Sequence, residues 1–181
     1  GNPLQRVGLA QIAPEWIRKI MSFTFHRIPV GICNCFLLRG ERTILIDAGA
    51  LGGTSAFVRE MKNLGVDPKS IDLILLTHGH WDHITCLSDI REMTGAKVAI
   101  HGRDQFMVET GEPPFPAGTT PYGRFMAASA KALLHPHLPK IKVDMVLDDN
   151  GMSLTEYGIP GKVVYTPGHS MGHSSILLDS G

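Results

Sequence analysis

The sequence lacks an excess of charge of either sign: Lys plus Arg and Asp plus Glu each number 17 in 181 residues. Without a basic field there is little to hold a nucleic-acid backbone or an anionic lipid surface, so neither nucleic acid nor membrane is expected as a partner. No apolar run approaches the roughly 20 residues of a membrane span. Cysteine is scarce. Of the three, Cys33 and Cys35 stand one residue apart, which is not the Cys-x-x-Cys spacing of a metal or redox pair. An odd number of thiols argues against a disulfide framework and for a reducing compartment. The opening residues Gly1–Arg6 carry no apolar h-region of an export signal. The expectation is therefore a cytoplasmic protein, and a composition 43% hydrophobic and 19% charged suits a single globular domain over 1–181.

What is present reads as strands first. Residues 4–48 predict consecutive strands, with Phe23 and Phe25 alternating with Thr24 and His26, and a hairpin turn at Arg39-Gly40-Glu41-Arg42. Thr43-Ile44-Leu45-Ile46 is continuously apolar, so both of its faces should be covered. A helix capped by Thr54 or Ser55 follows, with Phe57, Met61 and Leu64 along one face and Gly65 at its end. A buried strand at 71–76, a helix at 84–94 and a strand at 96–100 continue the alternation, which implies parallel pairing. Residues 109–121, rich in Pro and Gly, predict a long loop of the kind that often walls a binding site. A helix from Tyr122 to Leu134, stopped by Pro136, and strands at 144–147, 162–166 and 174–178 complete the chain.

Directly after the strand at 71–76 comes Thr77-His78-Gly79-His80-Trp81-Asp82-His83, three imidazoles and a carboxylate within six residues. Neutral imidazole and carboxylate are the donors that zinc and similar metals take. In an extended segment His78 and His80, two apart, project the same way, while Asp82 and His83 fall at the mouth of the next helix. The alternative is a His-rich surface turn that binds nothing. The remaining histidines have plainer readings: His26 on a polar sheet face, His101 structural at a strand end, His135 and His137 solvated around Pro136, and His173 packed at a strand edge. Trp81 serves either as an apolar wall for substrate or as packing.

The stretch Thr77–His83 resembles the His-x-His-x-Asp-His signature of the metallo-β-lactamase fold superfamily. Thr43-Ile44-Leu45-Ile46-Asp47-Ala48-Gly49 resembles its first motif, a strand ending in an Asp behind the metal ligands. Thr166-Pro167-Gly168-His169-Ser170 resembles its Thr-Pro-Gly-His motif. The resemblance implies an α/β (α+β) fold, an αββα sandwich of mixed sheets with outer helices. It implies that His78, His80 and His169 ligate one metal and that Asp82 and His83 ligate a second, with Asp82 also catalytic. Asp47 is then the acceptor that fixes the tautomer of a ligand imidazole. Trp81 and Tyr122 are the expected substrate wall. The cofactor implied is zinc, one or two ions, with iron or manganese as alternatives.

The activity implied is hydrolysis of a small-molecule ester, lactone, thioester, lactam or phosphodiester by a metal-bound hydroxide. Members of the superfamily usually continue to a Gly-Asp whose carboxylate bridges the metals and to a further His. This sequence stops at Ser174–Gly181, and Asp179 falls in the expected turn rather than at the bridging position. The expectation is a domain lacking its C-terminal part, with the first metal bound better than the second and hydrolysis weakened. The alternative is a non-catalytic, metal-binding or oligomeric remnant of the fold, since uncovered apolar surface favours homo-oligomers.

Overall fold

The computed structural model describes residues 23–30, 32–114, 119–134, 138 and 140–179. The strands expected over 4–22, and His135, Pro136 and His137, lie outside those residues. A six-stranded sheet runs in sequence order: β1 (Thr24–Val30), β2 (Cys33–Arg39), β3 (Thr43–Ile46), β4 (Ile71–Leu75), β5 (Lys97–His101) and β6 (Met145–Leu147). The first two pairings are antiparallel and the other three parallel. A second, antiparallel sheet holds β7 (Met152–Ser153), β8 (Gly161–Tyr165) and β9 (Ser174–Leu178).

The period-two geometry of the strands separates two cores. Leu37, Leu45, Ile74, Leu76, Val98 and Ile100 pack with helical residues Phe57, Met61, Leu87 and Ile90 on one face. Leu38, Ile44, Ile46, Leu73, Leu75 and Ala99 pack on the other against Leu154, Tyr157, Ile159 and Val163 of the second-sheet region. That is why Thr43-Ile44-Leu45-Ile46 and Ile71-Asp72-Leu73-Ile74-Leu75-Leu76 are apolar nearly throughout: both faces are covered. Each such Leu or Ile contributes about 1.5–3 kcal/mol on burial. The result is the mixed α/β sandwich that the sequence predicts.

The helices differ from expectation in three places. Helix α1 (Thr54–Leu64) is capped by Gly53 with no side-chain cap bond; the Thr54 hydroxyl donates instead to Asp89 across the layer (2.7 Å). Its C-terminal end is the expected left-handed Gly65 (φ 62°). The helix expected over 84–94 is two, α2 (Trp81–Ile84) and α3 (Leu87–Thr94). The break has a long-range cause: the His83 carbonyl accepts from Ala48 N–H (2.8 Å), and Cys86 N–H donates to the Gly49 carbonyl (3.4 Å). The loop expected from 109 begins later, because α4 (Gln105–Thr110) occupies its first two residues. Residues 115–118 of it lie outside the described residues. Helix α5 (Pro121–Leu134) follows as expected.

Because β3, β4 and β5 are parallel neighbours, their carboxyl ends lie along one edge, where open α/β sheets place ligands. Asp47 follows β3, Thr77–His83 follows β4, and His101–Asp104 ends and follows β5.

Candidate metal centre

Four imidazoles converge at that edge. Ring centroids lie 4.7 Å apart for His78 and His80, 4.2 Å for His78 and His83, and 4.6 Å for His78 and His169. His80 Nδ1 and His169 Nε2 are 3.1 Å apart although 89 positions separate them in sequence. Two groups of donors result, His78/His80/His169 and His78/Asp82/His83, each with its donor atoms within 4.8 Å of one another.

Local geometry accounts for the arrangement. His80 is the extended N-cap (φ −72°, ψ 151°) of the α2 turn, so His78 and His80 project together before the chain coils and carries Asp82 and His83 round. His169 arrives from the turn joining β8 to β9. That turn is closed by Thr166 N–H to the His173 carbonyl (2.9 Å) and pinned to the start of the Thr77–His83 stretch by Ser174 N–H to the Thr77 carbonyl (2.9 Å). Gly168, at φ 147°, supplies the turn with a conformation that side chains disfavour.

Asp47 sits behind this cluster in left-handed backbone (φ 62°), the one non-glycine among the described residues with positive φ. Its carboxylate is nearly buried and fully used. Oδ1 accepts from Thr77 N–H (2.8 Å), the Thr77 hydroxyl lies 3.0 Å from both oxygens, and Oδ2 lies 2.9 Å from His83 Nδ1. A carboxylate only accepts, so His83 carries its proton on Nδ1 and turns the Nε2 lone pair outward. The Thr77 hydroxyl has one proton and gives it to Asp47. Its oxygen therefore accepts from His78 Nδ1, 2.9 Å away. Hydrogen positions follow here from the bonding network. One carboxylate thus sets two tautomers, one directly and one through a hydroxyl.

The consequence for His78 is a lone pair on Nε2 with nothing to receive. Among the described residues, that atom is the buried side-chain nitrogen or oxygen without a hydrogen-bond partner. An orphaned buried acceptor facing two other imidazoles fits a divalent cation. Burial pushes the His78 pKa down to about 2, helped by His83, His80, His169 and His173, so the ring stays neutral and able to donate. Burial, then His169, also lowers that of His80. For His83 burial is the largest single influence and pulls downward, yet the hydrogen bond and charge of Asp47 and the charge of Asp82 together raise it.

The other histidines and candidate residues fall into place around this centre. His173 stands at the rim, its ring 5.4 Å from that of His78, with Nδ1 donating to the Thr166 carbonyl (3.1 Å). His101 is buried, 3.1 Å from Asp149 through Nε2 and stacked on Tyr165 at 4.4 Å. His26 bonds Thr24 (3.2 Å) on β1. Trp81 is half-buried against the helical core, and Tyr122 is exposed on α5. Asp179 follows β9, its N–H held by the Pro160 carbonyl. One residue that sequence reasoning missed is Asp104, fully buried, whose carboxylate bonds Gly79, Ser170 and Gly172. Its place just after β5, beside the strand that feeds the histidines, is the signal that could have found it.

The sequence profile described as the Metallo-beta-lactamase superfamily matches residues 28–181. Among curated proteins, the chain is similar to a probable metallo-hydrolase of Bacillus subtilis, 30% identical over 165 residues that cover 86% of this chain and 60% of that protein. A probable metallo-hydrolase of Methanocaldococcus jannaschii is 26% identical over 147 residues, 81% of this chain and 63% of that one. Among solved structures, a metallo-β-lactamase from Novosphingobium pentaromativorans superposes with TM-score 0.66 at 22% identity, over 85% of this chain and 52% of its own, a likeness of fold. A β-lactamase from Chitinophaga pinensis superposes with TM-score 0.65 at 26% identity, over 86% of this chain and 54% of its own. The chain spans about three fifths of the length of the curated relatives it matches.

Proposed function

The chain belongs to the metallo-β-lactamase superfamily, and from that premise we propose that it is a divalent-metal hydrolase of small molecules, acting on an ester, lactone, thioester, lactam or phosphodiester. The observation that carries the reading is the buried, unpartnered Nε2 of His78 facing His80 and His169. In this reading His78, His80 and His169 hold one ion and Asp82 and His83 a second, with zinc favoured by the imidazole-rich donor set and iron or manganese as alternatives. Bound ions would supply a water of lowered pKa and polarise the bond to be cleaved. Asp47 holds the protons of His83 and, through Thr77, of His78 on Nδ1, keeping both Nε2 atoms free. Asp82, one-third exposed, is proposed as the catalytic carboxylate that accepts a proton from the attacking water. Trp81 and Tyr122 are proposed as substrate walls.

Residues 1–181 are proposed to form a single domain in the cytoplasm. Three free thiols, Cys33, Cys35 and Cys86, suit a reducing compartment. Among the described residues no helix is long and apolar enough to cross a membrane. Self-association is proposed from the apolar side chains that α5 leaves exposed, Tyr122, Phe125 and Leu133; a monomer by light scattering would exclude it.

The test is turnover by the zinc-loaded chain of a panel containing one lactone, one thioester, one β-lactam and one phosphodiester. The expected result is metal-dependent hydrolysis of at least one class, lost in His78→Ala. Metal bound without turnover of any would favour a non-catalytic metal-binding module, the reading to which the sparse second donor pair, Asp82 and His83, lends weight.

A further inference from the structure

The segments that carry the imidazoles come from different sheets, and both are fastened to the same side chain. Asp104 stands at the N-cap of α4, where an Asp ordinarily accepts from its own helix, yet it makes no cap bond. Its carboxylate, fully buried, turns the other way. Oδ2 accepts from Gly79 N–H (3.2 Å) and from the Ser170 hydroxyl (2.5 Å), and Oδ1 accepts from Gly172 N–H (2.8 Å). Gly79 lies between His78 and His80, and Ser170 adjoins His169.

The fit around this carboxylate is close on both sides. A Cβ on Gly172 would come within 2.8 Å of Asp104, and one on Gly79 within 2.8 Å of Met107 in α4. Both approaches therefore require glycine. Burying a carboxylate is costly unless donors replace its water. Here the donors it uses belong to the two histidine segments rather than to its own helix.

We propose that Asp104 is a positioning residue for the metal centre, its buried carboxylate setting the spacing between the His78–His80 segment and His169. This rests on the reading of the cluster as a metal site. Metal binding tolerates donor displacements of only a few tenths of an ångström. The His80–His169 pair depends on this setting, since its members stand on separate segments and lie 3.1 Å apart.

The test uses Co(II) alone as probe on the 181-residue chain, read by affinity and by its visible ligand-field bands, for wild type, Asp104→Asn and Ser170→Ala. D104N keeps the shape but removes the charge and replaces one of the two acceptor oxygens with an N–H donor, whereas S170A removes one donor and keeps the charge. The expected result is a tenfold or greater loss of first-equivalent affinity in D104N and at least a threefold loss in S170A, both with altered bands. Wild-type affinity and bands in folded D104N would overturn the proposal. Where D104N does not fold, the same result in S170A would do so. A wild type that binds no Co(II) would instead refute the metal reading beneath it.

Discussion

Asp47 Oδ2 lies 2.9 Å from His83 Nδ1, and the carboxylate that makes this contact is held in left-handed backbone at φ 62°. The strained backbone aims the side chain at the underside of the cluster, and such strain of about 1–3 kcal/mol is characteristic of functional positions. Asn tolerates the same conformation, so Asp47→Asn should keep the strand end intact while offering His83 an N–H instead of an acceptor. The imidazole would then present the wrong tautomer. The expected outcome is a 10–100-fold loss of affinity at the Asp82/His83 position, measured by competition with a chromophoric chelator. Unchanged affinity would show that the tautomer is set elsewhere.

Gly49 supports the same strand end. It has φ 77°, and a Cβ there would meet Val30 Cγ1 at 2.3 Å. Gly49→Ala should destabilise the metal-free chain by about 2–4 kcal/mol, from backbone strain and overpacking together. Urea unfolding measures this. A loss under about 0.5 kcal/mol would mean the turn relaxes freely.

The metal-free protein should weaken on acidification. His78 has its pKa lowered from 6.5 to about 2 in the fold, so below pH 6.5 the unfolded chain binds the proton and the native chain does not. Stability is therefore full above that pH and falls as the pH drops, at most about 1.4 kcal/mol per pH unit for each such group. His80 acts in the same direction. His83, with its pKa raised, acts oppositely, adding stability at low pH that is lost as pH rises through its folded value. Urea midpoints between pH 7 and 4.5 should decline, less steeply in His78→Gln and more steeply in His83→Gln. A flat profile for the wild type would contradict the burial assigned to His78.

Much of this architecture was legible in the sequence because it is locally encoded. The apolar runs at 43–46 and 71–76 announced strands covered on both faces, and Asp47 and Thr77–His83 announced themselves by standing at their ends. The meeting of His169 with His80 is not local, and only the resemblance to a known family brought those segments together. The break between α2 and α3 was illegible for a similar reason: the hydrogen bonds that cause it reach back to Ala48 and Gly49. Asp104 in Gly102-Arg103-Asp104 reads as an ordinary turn or helix cap. Nothing nearby in sequence reveals that its donors lie 25 and 66 positions away, at Gly79 and Ser170. The two-residue strand Met152–Ser153 is too short to leave a periodic trace.

The most direct test of the central claim is a zinc titration of the purified, metal-stripped chain, beside His169→Ala and His83→Ala. The first donor set has three imidazoles, whereas the second has Asp82 and His83 and shares His78 with the first. The predicted result is one tightly held zinc, lost in His169→Ala and kept in His83→Ala, with any second ion at least tenfold weaker. No zinc bound by the wild type, or two held equally tightly, would contradict it.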